Sequence, residues 1–250
     1  MKKRLSASLL HLMISFFIGA GAAALVFFVW YPGQFRDFSG GTDLFLLIVS
    51  VDIVSGPVLT FAVFNLKKPQ KELFYDLTFV AIFQFCTLFY GLHIVFEARP
   101  VAMVFEVDRF RVISANEVLK AELPLAPDAY KKLPLTGPWL LGASMPTVGA
   151  DQLDAIQSAL EKGFDIAQRP KFWRPYESFT EEALARSKPV NRLLEKNPRW
   201  RSQILEALAS KGFVNAESVS FLPLVARGEW LAFLDQNGRP FLFIEFDGAM

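Results

Sequence analysis

Between Leu5 and Trp30 the chain runs for 26 residues without a formal charge. At 1.5 Å per helical residue this is about 39 Å, more than the roughly 30 Å of hydrocarbon in a bilayer. The flanks resemble a cleavable export signal, with a basic Met1-Lys2-Lys3-Arg4 start and small residues at Ala22-Ala23-Ala24. The apolar run nevertheless continues through Leu25-Val26-Phe27-Phe28-Val29-Trp30, so the segment is read as a membrane helix over about 5–30. Two further apolar runs, about 42–64 and 73–96, are broken only by Asp43, Asp52 and Asp76. They are long enough to cross as well. A mean hydropathy of +0.31 agrees, being too apolar for an ordinary water-soluble chain of 250 residues.

The charges around these runs set an orientation. Lys2, Lys3 and Arg4 precede the first run, and Lys67, Lys68 and Lys71 lie between the second and third. Basic residues favour the cytoplasmic side, which puts the amino terminus inside. Three crossings then place the remainder outside. Domain 1–97 is therefore expected to be a three-helix membrane part, and 98–250 a periplasmic domain of a bacterial inner-membrane protein.

Residues 98–250 contain 19 basic and 19 acidic residues, enough chain for a core of its own and no net field to attract nucleic acid. Val101 to Ile113 alternates apolar and polar residues in the manner of one or two strands. A Pro-rich connection, Pro124 to Pro146, leads to a helix expected over 151–162. A second helix is signalled by Ser178 and Glu181, spaced as a capping box, and must stop before Pro189. A third begins at Asn197-Pro198, aligns Trp200, Ile204 and Leu208, and ends at Lys211-Gly212. Strands at 219–226, 230–235 and 240–246 close the chain, the last two joined through Asn237-Gly238. The expected fold is three transmembrane helices followed by an α+β domain with a C-terminal antiparallel β meander.

The single cysteine, Cys86, cannot form an internal disulfide, and both histidines, His11 and His93, lie within apolar runs. No phosphate loop, nucleophile elbow or metal-ligand spacing occurs, so neither catalytic nor cofactor-binding nor metal residues are assigned. Asp52 sits near the middle of its run, where a charge costs about 3 kcal/mol on insertion scales. It needs a partner, with Gln84 and Ser15 at similar depth as candidates. Ser15, Gly19 and Ala23 form a ridge of small residues suited to close helix approach, from this chain or another. Phe172, Trp173, Arg174 and Tyr176 lie in an aromatic and basic stretch of the types enriched at binding hot spots; an ordered loop covering the core explains it as well.

The order of parts carries a family likeness. Asp52 and Gly56-Pro57 in the second span are followed by Val107-Asp108-Arg109-Phe110, Ala115-Asn116-Glu117, Arg169-Pro170-Lys171-Phe172-Trp173 and Leu222-Pro223-Leu224-Val225. Over essentially its whole length the chain resembles the type IV pilin accessory proteins, the TfpX/TfpZ family. The resemblance implies a dedicated chaperone rather than an enzyme, one that stabilises a specific type IV pilin and promotes its assembly into pili. Its implied partners are the pilin subunit, the lipid bilayer and components of the assembly machinery, with no nucleic acid and no cofactor. Ser15, Gly19, Ala23 and Asp52 would meet the pilin's apolar stem, and Phe172, Trp173, Arg174 and Tyr176 its head. The alternative is an envelope membrane enzyme modifying pilin or a lipid-linked substrate, with Asp52 or Asp108 as base.

Overall fold

A computed structural model describes residues 1–144, 164–213 and 216–248. Its contacts divide the chain into two units, Met1–Arg99 and Pro100–Met250. The helix expected over 151–162 lies outside the described residues.

The first unit is helical. Helix α1, Lys2–Leu25, continues through a π-helical turn, Val26–Trp30. After a short α2, Phe35–Phe38, come α3, Gly41–Val63, and α4, Gln70–Glu97. All three long helices have the length and apolarity to cross a membrane. They expose large apolar side chains that no water-soluble helix would display, among them Phe17, Phe28, Phe79 and Tyr90. Helices α1 and α4 each pack along α3. At one end Ala22, Val26, Tyr31, Phe45, Val49 and Val95 close a small core, and the Tyr31 hydroxyl donates to the Val95 carbonyl at 2.8 Å.

Among its described residues the second unit is built on one mixed sheet of eight strands. Strands β1, Pro100–Glu106, and β2, Arg109–Ser114, form an antiparallel hairpin. Strand β3, Trp139–Ala143, joins β1 in parallel and carries β4, Trp173–Pro175, on its outer edge. On the other side β2 pairs in parallel with β6, Ser220–Ala226, which continues antiparallel into β7, Gly228–Leu234, and β8, Pro240–Glu245. A two-residue β5, Lys188–Pro189, borders β6. The C-terminal meander and the α+β class are as the sequence predicts.

Among the described residues two apolar clusters are built on strands of this sheet. Val101, Val104, Ile113, Leu141, Phe172 and Trp173 belong to one, and Leu193, Ile204, Leu208, Phe221, Phe233 and Phe246 to the other. Phe105 and Phe110 join the Tyr176 ring at centroid distances of 6.4 and 5.6 Å. The second cluster depends on α6, Val190–Lys196, and α7, Arg201–Ser210, whose buried Ile204 and Leu208 follow the predicted stripe.

Four local expectations are corrected. The Pro-rich connection contains β3, whose short Trp-Leu-Leu-Gly-Ala run lacks alternation because Leu141, Gly142 and Ala143 are all buried. Ser178 does not cap a helix: it lies in a 3₁₀ turn, Tyr176–Phe179, and α5, Thr180–Arg186, starts after Phe179 with no side-chain cap. The helix does end before Pro189. Asn197 precedes its 3₁₀ turn, Pro198–Trp200, but its side-chain amide donates back to the Leu193 carbonyl at 3.1 Å instead of capping forward. Helix α6 was not foreseen, since Pro189 reads as a breaker when it in fact precedes the first helical residue.

Candidate functional site

Several polar side chains of the three long helices face one another between the helices. Asp52 on α3 is buried, and its Oδ1 lies 2.6 Å from the Thr87 hydroxyl of α4. Gln84, one turn earlier on α4, donates from Nε2 to the Asp52 main-chain oxygen at 3.0 Å. Its Oε1 meets His11 Nε2 from α1, and His11 Nδ1 is bonded to Thr60 Oγ1 on α3. Ser8 on α1 donates to the Pro57 carbonyl at 3.0 Å. His11, Thr60, Gln84, Asp52 and Thr87 thus form one hydrogen-bonded network linking three helices, with the Ser8–Pro57 bond as a separate tie between α1 and α3.

Gly56 makes this possible, because a Cβ there would overlap the Gln84 carboxamide. The Asp52 carboxylate partner is Thr87 rather than Gln84 or Ser15; Gln84 binds the backbone oxygen of Asp52 instead. Asp52 Oδ2 is buried and has no hydrogen-bond partner among the described residues. A buried acceptor left unmatched costs about 1–3 kcal/mol, more if charged.

Of the small-residue ridge, Gly19 is turned inward: a Cβ on it would lie 3.3 Å from Val49 Cγ1 and 3.6 Å from Ile53 Cδ1 on α3. Ala23 packs on the core around Val26 and Tyr31. Ser15 is half-buried and, together with Asp52, lines a cavity of about 390 Å³ between α1 and α4.

In the second unit, the aromatic and basic stretch is mostly interior. Trp173 is fully buried, and its Nε1–H donates to the Ala167 carbonyl at 2.8 Å. Phe172 and Tyr176 are buried too, with the Tyr176 hydroxyl donating to the Gly238 carbonyl. Arg174 alone of the four assigned residues is exposed, its Nη1 donating to the Lys171 and Trp173 carbonyls. Three rings therefore serve the core, and only the guanidinium faces solvent. Sequence reasoning missed Thr87, His11 and Thr60 as members of the network; the signal was their polarity inside runs otherwise almost wholly apolar.

Burial raises the ionisation of the Tyr176 hydroxyl above the ordinary tyrosine range, with the nearby Asp235 charge adding to it. The unfolded chain, with an ordinary tyrosine near pH 10, then loses its proton first. The contribution to stability is intact below about pH 10 and declines as pH rises beyond it. Alkaline difference titration of the wild type against Tyr176→Phe, both purified in detergent, should show the Tyr176 tyrosinate only at the pH of unfolding. Tyr176→Phe should also destabilise by about 1–3 kcal/mol, since the Gly238 carbonyl loses its buried donor. A difference signal that develops before the wild type unfolds would contradict the assignment.

Helices fit to span a membrane, followed by a mixed-sheet domain, define the class as membrane protein with an appended α+β domain. Two proteins of Dichelobacter nodosus extend the likeness to nearly full length. The fimbrial assembly protein of serogroup E1 is 34% identical over 95% of this chain and 93% of its own. That of serogroup I is 35% identical over the same shares. A third, from serogroups C1 and C2, is 39% identical over 47% of this chain and 89% of its own. The family model for the fimbrial assembly protein FimB matches residues 1–40. The chain belongs to the fimbrial assembly protein family, and the resemblance to type IV pilus accessory proteins is borne out. No solved structure matches it.

Proposed function

We propose that this protein assists type IV pilus assembly from the inner membrane, as a dedicated chaperone that keeps one pilin subunit stable until it is incorporated. The observation that carries the reading is identity of about one third to fimbrial assembly proteins across 95% of the chain. The proposed arrangement has the amino terminus and the Lys67–Lys71 linker in the cytoplasm and residues 98–250 in the periplasm, following the positive-inside rule. A pilin awaiting assembly presents an apolar stem in the membrane and a folded head outside it. A helper with a membrane unit and an external domain can meet both. Contact with the head is assigned to the surface around Arg174, the exposed member of its segment.

The test is a deletion strain supplied first with its own pilin and then with an unrelated one. Pilin level and surface pili should fall at least tenfold for the matched subunit and stay unchanged for the other. Equal loss for both would remove the dedicated-chaperone reading. A periplasm-dependent reporter fused at the C-terminus should be active, and activity only of a cytosol-dependent reporter would reverse the orientation.

A further inference from the structure

Helices α1 and α4 pack on α3 and meet one another at only a few places: through His11 and Gln84, and beyond Leu25 where Trp30 edges onto Phe96 and Tyr31 bonds Val95. Between them lies the cavity of about 390 Å³. Along α1 its lining runs from Ala7 to Gly19, about 18 Å of helix at 1.5 Å per residue. Its lining is mostly apolar, with Ile14 and Ile18 on one side and Ala81 and Leu88 on the other, and takes in the bonded His11, Thr60 and Gln84; Asp52 is part of its α3 floor. Asp52 is 9% exposed, and its Oδ2 finds no donor within the described residues.

An apolar groove at membrane depth can hold either a lipid chain or a helix. The unmatched carboxylate oxygen decides between them, because an acyl chain brings no hydrogen-bond donor and a helix can. Small lining residues, Ser15 and Ala81, also let another helix come close. Resting on the function proposed above, we infer that this groove seats one face of the client pilin's membrane helix, and that a hydroxyl, amide or amine on that helix is donated to the Asp52 carboxylate. The seat would hold the stem out of the lipid until the subunit is handed on. This places the contact at the opening between α1 and α4, whose lining includes Ser15 and Gly19, whereas Ala23 packs on the adjoining core.

The test uses the full chain in cells producing its pilin. A photoreactive residue at Ile14 or Leu88, in the walls, should crosslink to pilin at least tenfold more than one at Phe17 or Phe79, which are 69% and 71% exposed. Asp52→Leu and the groove-filling Ala81→Phe should each lower the wall crosslinks about tenfold at equal protein level. Gly21→Leu, where a Cβ meets nothing within 4 Å, should leave them unchanged. Should either groove variant fail to accumulate, the comparison of wall and outward positions decides alone. Equal crosslinking from Phe17 and Phe79 would overturn the inference, as would wall crosslinks only to lipid or to a second copy, or full yield in both groove variants. Loss of pili on deletion with pilin crosslinks confined to residues 98–250 would sink the groove and leave the chaperone standing; unchanged pili on deletion would remove the chaperone itself.

Discussion

Glu122→Ala is expected to destabilise the Pro100–Met250 unit by about 3–5 kcal/mol, the cost of stranding a buried charge by removing its partner. Arg169 is only 2% exposed. Its Nε lies 3.1 and 3.2 Å from the two Glu122 carboxylate oxygens, and one Nη approaches Oε1 at 2.5 Å. Lys171 Nζ stands 3.6 Å from the same Oε1, so removing the carboxylate would also leave a second cation beside the guanidinium. The pair ties the 3₁₀ turn Lys120–Leu125 to the turn Pro170–Phe172, immediately ahead of the fully buried Trp173. Losing the acid would take this ion pair from a guanidinium that also lies against the Phe172 ring, 5.1 Å away.

Thermal unfolding of the protein in detergent should show a drop on the order of 10 °C for Glu122→Ala, for a unit of this size. Glu122→Leu combined with Arg169→Met should recover most of it, because a well-packed apolar pair avoids desolvating two charges. Double and single variants equally unstable would mean that shape, not charge pairing, is what the site requires.

The membrane half was legible because hydrocarbon thickness leaves little freedom: an uncharged run of 26 residues has essentially one use. What the runs could not reveal was which helix faces Asp52, since Thr87, Gln84 and Ser15 all reach a similar depth and only packing chooses among them. In the second unit the meander was legible through alternation and turn residues. The β1–β2 hairpin was ambiguous between one strand and two because its turn carries no glycine. Val107 takes the left-handed conformation there, φ 53°, in a two-residue connection between paired Glu106 and Arg109. A β-branched residue is the last that sequence reasoning would put in that position, which costs it about 1–2 kcal/mol.

The Phe172–Tyr176 stretch misled for a related reason. Aromatic and basic residues mixed with prolines look like surface, yet the prolines break the chain into short turns that point the rings inward. Strand β3 escaped notice through its brevity and because its buried positions, Leu141, Gly142 and Ala143, are consecutive. Its neighbour β1 is buried at every position, so neither strand shows the period of a one-sided sheet.

Gly238→Val should cost about 3 kcal/mol, and the reason goes beyond the turn that Asn237-Gly238 announces. Only the glycine has a positive φ, +75°. The turn is held by Asp235, whose Oδ1 accepts from the Asn237 and Arg239 amides at 2.9 and 2.8 Å, while the Gly238 amide donates to the Asp235 carbonyl at 3.0 Å. A side chain at 238 would therefore meet left-handed strain of about 1–2 kcal/mol. It would also meet α5, because a Cβ there stands 2.6 Å from the Thr180 carbonyl oxygen and 3.2 Å from Leu184 Cγ, an overpacking worth about 1–3 kcal/mol. The two contributions can be separated. Gly212, φ +86°, follows α7 with nothing within 4 Å of a Cβ, so Gly212→Ala reports strain alone. Gly238→Ala should exceed it by 1 kcal/mol or more. Gly238→Asn, which tolerates the left-handed region, should rescue little, whereas Gly212→Asn should be close to neutral. If Gly238→Asn instead restored wild-type stability, the contact with α5 would be dispensable, and the hairpin tip would be merely a turn rather than the point where Thr180, Leu184 and the Tyr176 hydroxyl lock the meander onto the rest of the sheet.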